Sequence, residues 1–193
     1  MEEVGYLIIN EAFSSIINIR LNNYNIKKIS INLSINQLNK NLIKKLALLI
    51  KKHDIKPEWF EFEITERLLL DKKDVYIIEN IRKLGFSISI DDFGTGYSSL
   101  SLIQSLKIDK IKIDKSFIDD IENQNIYKII IKLSEELGIE VIAEGTETLK
   151  QVQILENNNC FDFQGYYFSK PLPFSKFLSF IREDQEGKNR HLI

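Results

Sequence analysis

The stretch Ile88-Ser89-Ile90-Asp91-Asp92-Phe93-Gly94-Thr95-Gly96-Tyr97-Ser98-Ser99-Leu100 carries an apolar alternation, begun at Phe86, straight into two adjacent carboxylates. Two glycines and a serine pair follow. This order predicts a buried strand over 86–90, a tight loop, and a helix start capped by Ser98 or Ser99. Neighbouring Asp side chains at a strand end repel each other unless something positive lies between them. A divalent metal is the usual answer, because hard cations take carboxylate oxygens. The plainer alternative is a solvated turn whose Asp side chains accept from nearby backbone amides.

Outward from this stretch, strand and helix alternate. Apolar periodicity predicts strands over 28–33, 59–64, 108–113, 139–143 and, weakly, 160–163. Helices are expected over 2–21, 36–53, 75–84, 98–106, 125–137, 147–157 and 173–183, with a further helix start near Glu66 capped by Thr65. Gly85 and Gly138 stand where left-handed helix ends are expected. Six strand–helix units with short connections argue an α/β fold with a parallel sheet. No low-complexity linker divides the chain, so one domain is expected over 1–184, followed by a polar tail over 185–193.

An open doubly wound sheet and a (β/α) barrel both satisfy that alternation, and the polar residues separate them. Each predicted strand ends on one or two: Asn32, then Glu63 and Glu66, Asp91 and Asp92, Lys112 and Asp114, Glu144 and Glu147, and Gln164. A barrel lines one rim with the ends of many strands. A doubly wound sheet concentrates its site at one switch point. The distribution favours the barrel. Each residue alone has a bland reading, such as a first-turn acid at a helix start or a Lys112–Asp114 ion pair. Their coincidence at the same end of successive strands does not.

The set is rich in oxygen donors and lacks cysteine, and neither His53 nor His191 falls at a strand end. Such a site suits Mg²⁺ or Mn²⁺ rather than structural zinc. Acidic clusters holding two such ions serve phosphoryl chemistry, with Lys112 orienting water or offsetting phosphate charge.

The bulk numbers agree with a single globular domain holding one sizeable core. The chain has 193 residues, a net charge of −2 and 44% hydrophobic residues. That balance gives no basis for DNA as a partner. One cysteine, Cys160, precludes an intrachain disulfide and fits a reducing cytoplasm. The acidic start Met1-Glu2-Glu3-Val4 lacks the features of a signal peptide, and no apolar run approaches a membrane span.

The motifs together resemble the EAL-domain phosphodiesterases of bacterial signalling, which linearise cyclic di-GMP to pGpG. They are Ile31-Asn32-Leu33-Ser34, Glu63-Ile64-Thr65-Glu66, Asp91 to Leu100, Lys112-Ile113-Asp114, Ala143-Glu144-Gly145-Thr146-Glu147-Thr148, Gln164-Gly165-Tyr166 and Ser169-Lys170-Pro171. The resemblance implies a TIM-type barrel and a two-metal site holding Mg²⁺ or Mn²⁺. Asn32, Glu63, Asp91, Asp92 and Glu144 would be metal ligands. Lys112 would hold the attacking water, and Glu66 would anchor the Asp92–Tyr97 loop. Glu147, Gln164 and Asp114 would shape the remainder of the site. Cyclic di-GMP, a second copy of the chain, and an upstream sensor or cyclase domain are the implied partners.

Three departures stand out. Asn159 and Phe161 occupy places where the family usually has Gly and Asp. More seriously, the Glu-Ala-Leu motif that names the family is absent. Glu11-Ala12-Phe13 is a decoy in a helical pattern, only 21 positions before Asn32. The barrel is therefore expected to lack its first two strands, one metal-ligand glutamate and a phosphate-contacting arginine. Weakened catalysis follows, or else a non-catalytic module that binds cyclic di-GMP or a protein, or a piece of a longer chain.

Overall fold

The computed structural model describes residues 2–22, 24, 26–96 and 100–185. Six strands form one parallel sheet: β1 Ile29–Leu33, β2 Phe60–Thr65, β3 Ser87–Phe93, β4 Lys110–Ile113, β5 Glu140–Glu144 and β6 Asp162–Gln164. Their spatial order is the sequence order, β1 to β6, with no crossover. A doubly wound sheet would reverse direction at a switch point. Instead the sheet curls into a half-barrel, an incomplete TIM-type (β/α) barrel. Among the described residues, β1 and β6 each pair on one side only.

Alternation along each strand sorts the two faces. Phe60, Phe62 and Ile64 of β2, Ile88 and Ile90 of β3, and Ile111 and Ile113 of β4 are fully buried. The register aligns them across strands, with Phe62 beside Ile88 and Ile90 beside Ile111. Helices α1 Glu2–Leu21, α2 Lys40–His53, α3 Lys72–Lys83, α4 Leu100–Leu106, α5 Lys115–Asp119, α6 Ile126–Leu137, α7 Leu149–Glu156 and α8 Phe174–Gln185 complete the unit. Leu46 and Leu49 of α2 and Ile78 and Ile81 of α3 close on that apolar face within one core. Phe13 of α1 packs at 4.3 Å between ring centroids on Phe60. Each such side chain contributes roughly 1.5–3 kcal/mol by leaving water. The intervening residues, Glu61, Glu63, Ser89, Asp91, Lys110 and Lys112, project to the opposite face of the sheet.

Several boundaries differ from expectation for local reasons. β3 continues past Ile90 to Phe93, because Thr65 pairs with Asp91 and Phe93 with Ile113 across an irregularity in register. Asp91 and Asp92 are thus strand residues, and Asp92 turns left-handed at φ 53°. The helix expected over 36–53 is split. A 3-10 turn, Ile35–Gln37, precedes α2, whose true cap is Asn39, accepting from Asn41 and Leu42 amides. Thr65 makes no side-chain cap, and Glu66–Leu70 is a 3-10 turn rather than an α-helix. Asp71 instead caps α3.

Helix α5 was not expected at all; Asp114 leaves β4 and accepts from the Ser116 amide to start it. Gly85 and Gly138 do adopt left-handed backbone, at φ 99° and 66°. Asn159 takes φ 64°, a conformation that asparagine tolerates better than most residues, which accounts for its standing in for glycine. Glu11, Ala12 and Phe13 lie inside α1, as the decoy reading required. Ser98 and Ser99 fall outside the described residues, as does the expected tail beyond Gln185.

Candidate active site

Lys112 is the centre of the rim. Its residue is 3% exposed. Its Nζ lies 2.9 Å from Glu63 Oε1, 3.1 Å from Asp91 Oδ1 and 2.5 Å from Glu144 Oε1. The three carboxylates come from β2, β3 and β5, so the curl of the sheet brings them together. Burial by itself would lower the pKa of Lys112. The hydrogen bonds and charges of Glu144 and Glu63 outweigh it and raise the value, keeping the ammonium charged. Glu144 is shifted upward, chiefly by burial, with Asp91 and Glu63 adding against the pull of Lys112.

Carboxylate oxygens of Asp91, Asp92 and Glu144 all lie within 4.8 Å of one another. Asp92 is also pushed up, first by desolvation, then by the charges of Asp91 and Asp114 and a hydrogen bond to Asp114. Asp91 Oδ1 is buried, and although near Lys112 it has no hydrogen bond of good geometry. Three acids this close, with the single Lys112 ammonium beside them, leave excess negative charge that a hard divalent cation would offset. Asn32, an exposed residue, stands opposite Glu63 in the β1–β2 register.

Glu66 is buried and aims into the loop after β3. Its Oε2 accepts from the Gly94 amide at 3.2 Å and the Gly96 amide at 2.9 Å. A Cβ at Gly96 would lie 2.9 Å from that carboxylate, so a larger residue there would displace the Glu66 side chain from its present position. Asp114, expected among the ligand-shaping residues, caps α5 and reaches Asp92.

Beyond Glu144 the rim opens into a cleft of about 530 Å³, lined among others by Glu147, Gln164, Tyr166, Lys170 and Phe177. Its size lies in the range that takes a small organic ligand. Glu147 Oε1 holds Lys115 Nζ at 2.5 Å. Lys170 lies over the Tyr166 ring at 5.7 Å. Lys115 was not singled out from sequence. Nothing marked it until α5, a five-residue helix, turned it toward Glu147.

A second charged tier lies deeper on the same face. Lys110 Nζ is 3.6 Å from both Glu61 Oε2 and Glu140 Oε2, and Ser30 Oγ donates to Glu61 at 3.2 Å. Sequence reading missed it, since single charges within apolar strands carry no motif.

The EAL domain family model matches residues 1–171. The cyclic di-GMP phosphodiesterase NbdA of Pseudomonas aeruginosa is 43% identical over 130 residues, covering 64% of this chain and 17% of that protein. The solved EAL enzyme Bd1971, in its cAMP- and cyclic-di-GMP-bound form, superimposes with a TM-score of 0.85 at 35% identity, over 93% of this chain and 51% of that one. The manganese and cyclic di-GMP complex of Klebsiella pneumoniae BlrP1 gives a TM-score of 0.77 at 29% identity, over 88% and 45%. The chain spans only 17% to 30% of the length of the first three curated relatives it matches.

Proposed function

The chain belongs to the EAL domain family, and from that premise we propose that it is a metal-dependent phosphodiesterase domain acting on cyclic di-GMP. One observation carries the reading: a buried lysine ammonium touches carboxylates from three different strands, beside a set of acid oxygens spaced for a cation. NbdA and the BlrP1 and Bd1971 complexes supply the substrate and the metal class by similarity.

In this proposal Asp91, Asp92 and Glu144, with Asn32 and Glu63 beside them, hold Mg²⁺ or Mn²⁺. A bound divalent ion supplies Lewis acidity toward a phosphate oxygen and makes water a better nucleophile. Lys112 stays cationic at working pH, orients the attacking water and offsets charge on the diester oxygens. Glu66 fixes the loop that follows Asp92, so that the Asp91–Asp92 pair holds its geometry. Glu147 and Gln164 line the cleft in which the nucleotide body lies. The domain is placed over 1–184, in the cytoplasm, and its open β1 and β6 edges are read as sites of pairing with a second copy or a preceding sensor or cyclase domain. Among the described residues, no helix is long and apolar enough to cross a membrane.

The test is incubation of the purified chain with cyclic di-GMP and Mn²⁺ or Mg²⁺, followed by chromatography. Linear pGpG, absent when the metal is chelated, is the expected product. Binding without turnover would instead make the chain a cyclic di-GMP receptor, and neither binding nor turnover would reject the assignment.

A further inference from the structure

Helix α2 carries Lys40, Lys44, Lys45, Lys51 and Lys52 and no acid, in a chain whose net charge is −2. Its buried side is Leu42, Leu46 and Leu49. Lys40, Lys44, Leu48 and Lys51 are exposed and follow the spacing of one helical stripe. Leu48, flanked along that stripe by Lys44 and Lys51, is 64% exposed. Helix α3 packs beside α2 and exposes Lys72, Lys73, Tyr76 and Lys83, with Tyr76 at 52%. Between them lies a shallow cleft of about 400 Å³, lined by Leu38, Asn39, Lys40, Lys73, Tyr76 and Ile77. The exposed acids along these two helices and their caps are Asp71, 3.6 Å from Lys73 Nζ, Glu79, and Asp54 at the C-cap of α2. Lysines therefore outnumber acids, around two apolar side chains that the core does not use.

We propose that the α2–α3 face docks on an anionic lipid surface. The lysines meet headgroup phosphates, while Leu48 and Tyr76 reach the acyl boundary. Both helices begin just after the C-terminal ends of β1 and β2, so the face flanks the rim that carries Lys112. Nucleic acid fits this surface less well. It would use Leu48 for nothing, and the one arginine of α3, Arg82, is taken by Asp109.

The test is co-sedimentation of the whole chain with phosphatidylcholine vesicles, with and without phosphatidylglycerol. Binding is expected only when phosphatidylglycerol is present, and it is lost at about 1 M salt, where screening shortens to about 3 Å. Combining Lys40→Glu, Lys44→Glu and Lys51→Glu should lower partition at least about tenfold, with an unchanged far-UV circular dichroism melt. If that variant melts early, the single Leu48→Ser change serves in its place, with a several-fold loss expected. Equal partition onto pure phosphatidylcholine, no sedimentation with either vesicle, or wild-type binding by the folded variants overturns the proposal. Retention on duplex DNA without vesicle binding overturns it too, in favour of nucleic acid.

Discussion

Lys112 combines near-complete burial with three carboxylate neighbours. Removing an ammonium from water costs several kcal/mol, and only close counter-charges offset it. Lys112→Met should therefore strand three acids without a partner. Urea denaturation is expected to show a loss of about 3–5 kcal/mol in unfolding free energy; a loss under about 1 kcal/mol would mean that water, not Lys112, satisfies those acids. The sequence marked Lys112 as functional but offered Asp114 as its bland partner. That pairing fails because β4 ends at Ile113 and Asp114 turns away to cap α5. The true partners are strands apart, and their convergence depends on sheet curl, which no local spacing encodes.

At the scale of single elements, Glu66 ties a 3-10 turn to the loop after β3. Glu66→Ala leaves the Gly94 and Gly96 amides without their acceptor, which typically costs about 1–3 kcal/mol locally. Amide hydrogen exchange at Gly94 and Gly96 should accelerate while the β2 amides keep their protection; unchanged exchange would show that the loop holds itself. The C-terminal turn of α2 supplies a pH-dependent case. His53 Nε2 lies 3.0 Å from Asn10 Oδ1 of α1, and its ring is half-buried against Phe13. The helix dipole would favour an imidazolium there. Burial first, and Lys52 second, win and lower its pKa from 6.5. The folded chain then binds fewer protons than the unfolded chain below that value, so stability falls as pH drops through and below 6.5. Scanning calorimetry from about pH 7 to about pH 5 should show a steeper Tm decline for wild type than for His53→Gln; parallel declines would remove His53 as a contributor. Strands and long helices were legible because their apolar period repeats over many residues. The five-residue α5 and the 3-10 turns were not, since so few positions establish no period.

Across the whole molecule, the half-barrel is apolar outside, beneath its helices, and charged inside. Barrel interiors are commonly filled by bulky branched side chains. Here two tiers of ion pairs, Glu61–Lys110–Glu140 and the Lys112 cluster, take that place. The strand order could be read from the alternation of units, and the rim from the polar residue at each strand end. The deeper tier could not, because its meaning appears only when neighbouring strands are in register. The claim on which the functional reading stands is that Asp91, Asp92 and Glu144 share a divalent ion. Calorimetric titration of Mn²⁺ into the wild-type chain and into Asp91→Asn tests it most directly. Saturable binding to the wild type, weakened at least about tenfold by the substitution, is the expected result; equal affinity in the two proteins, or none in either, would contradict it.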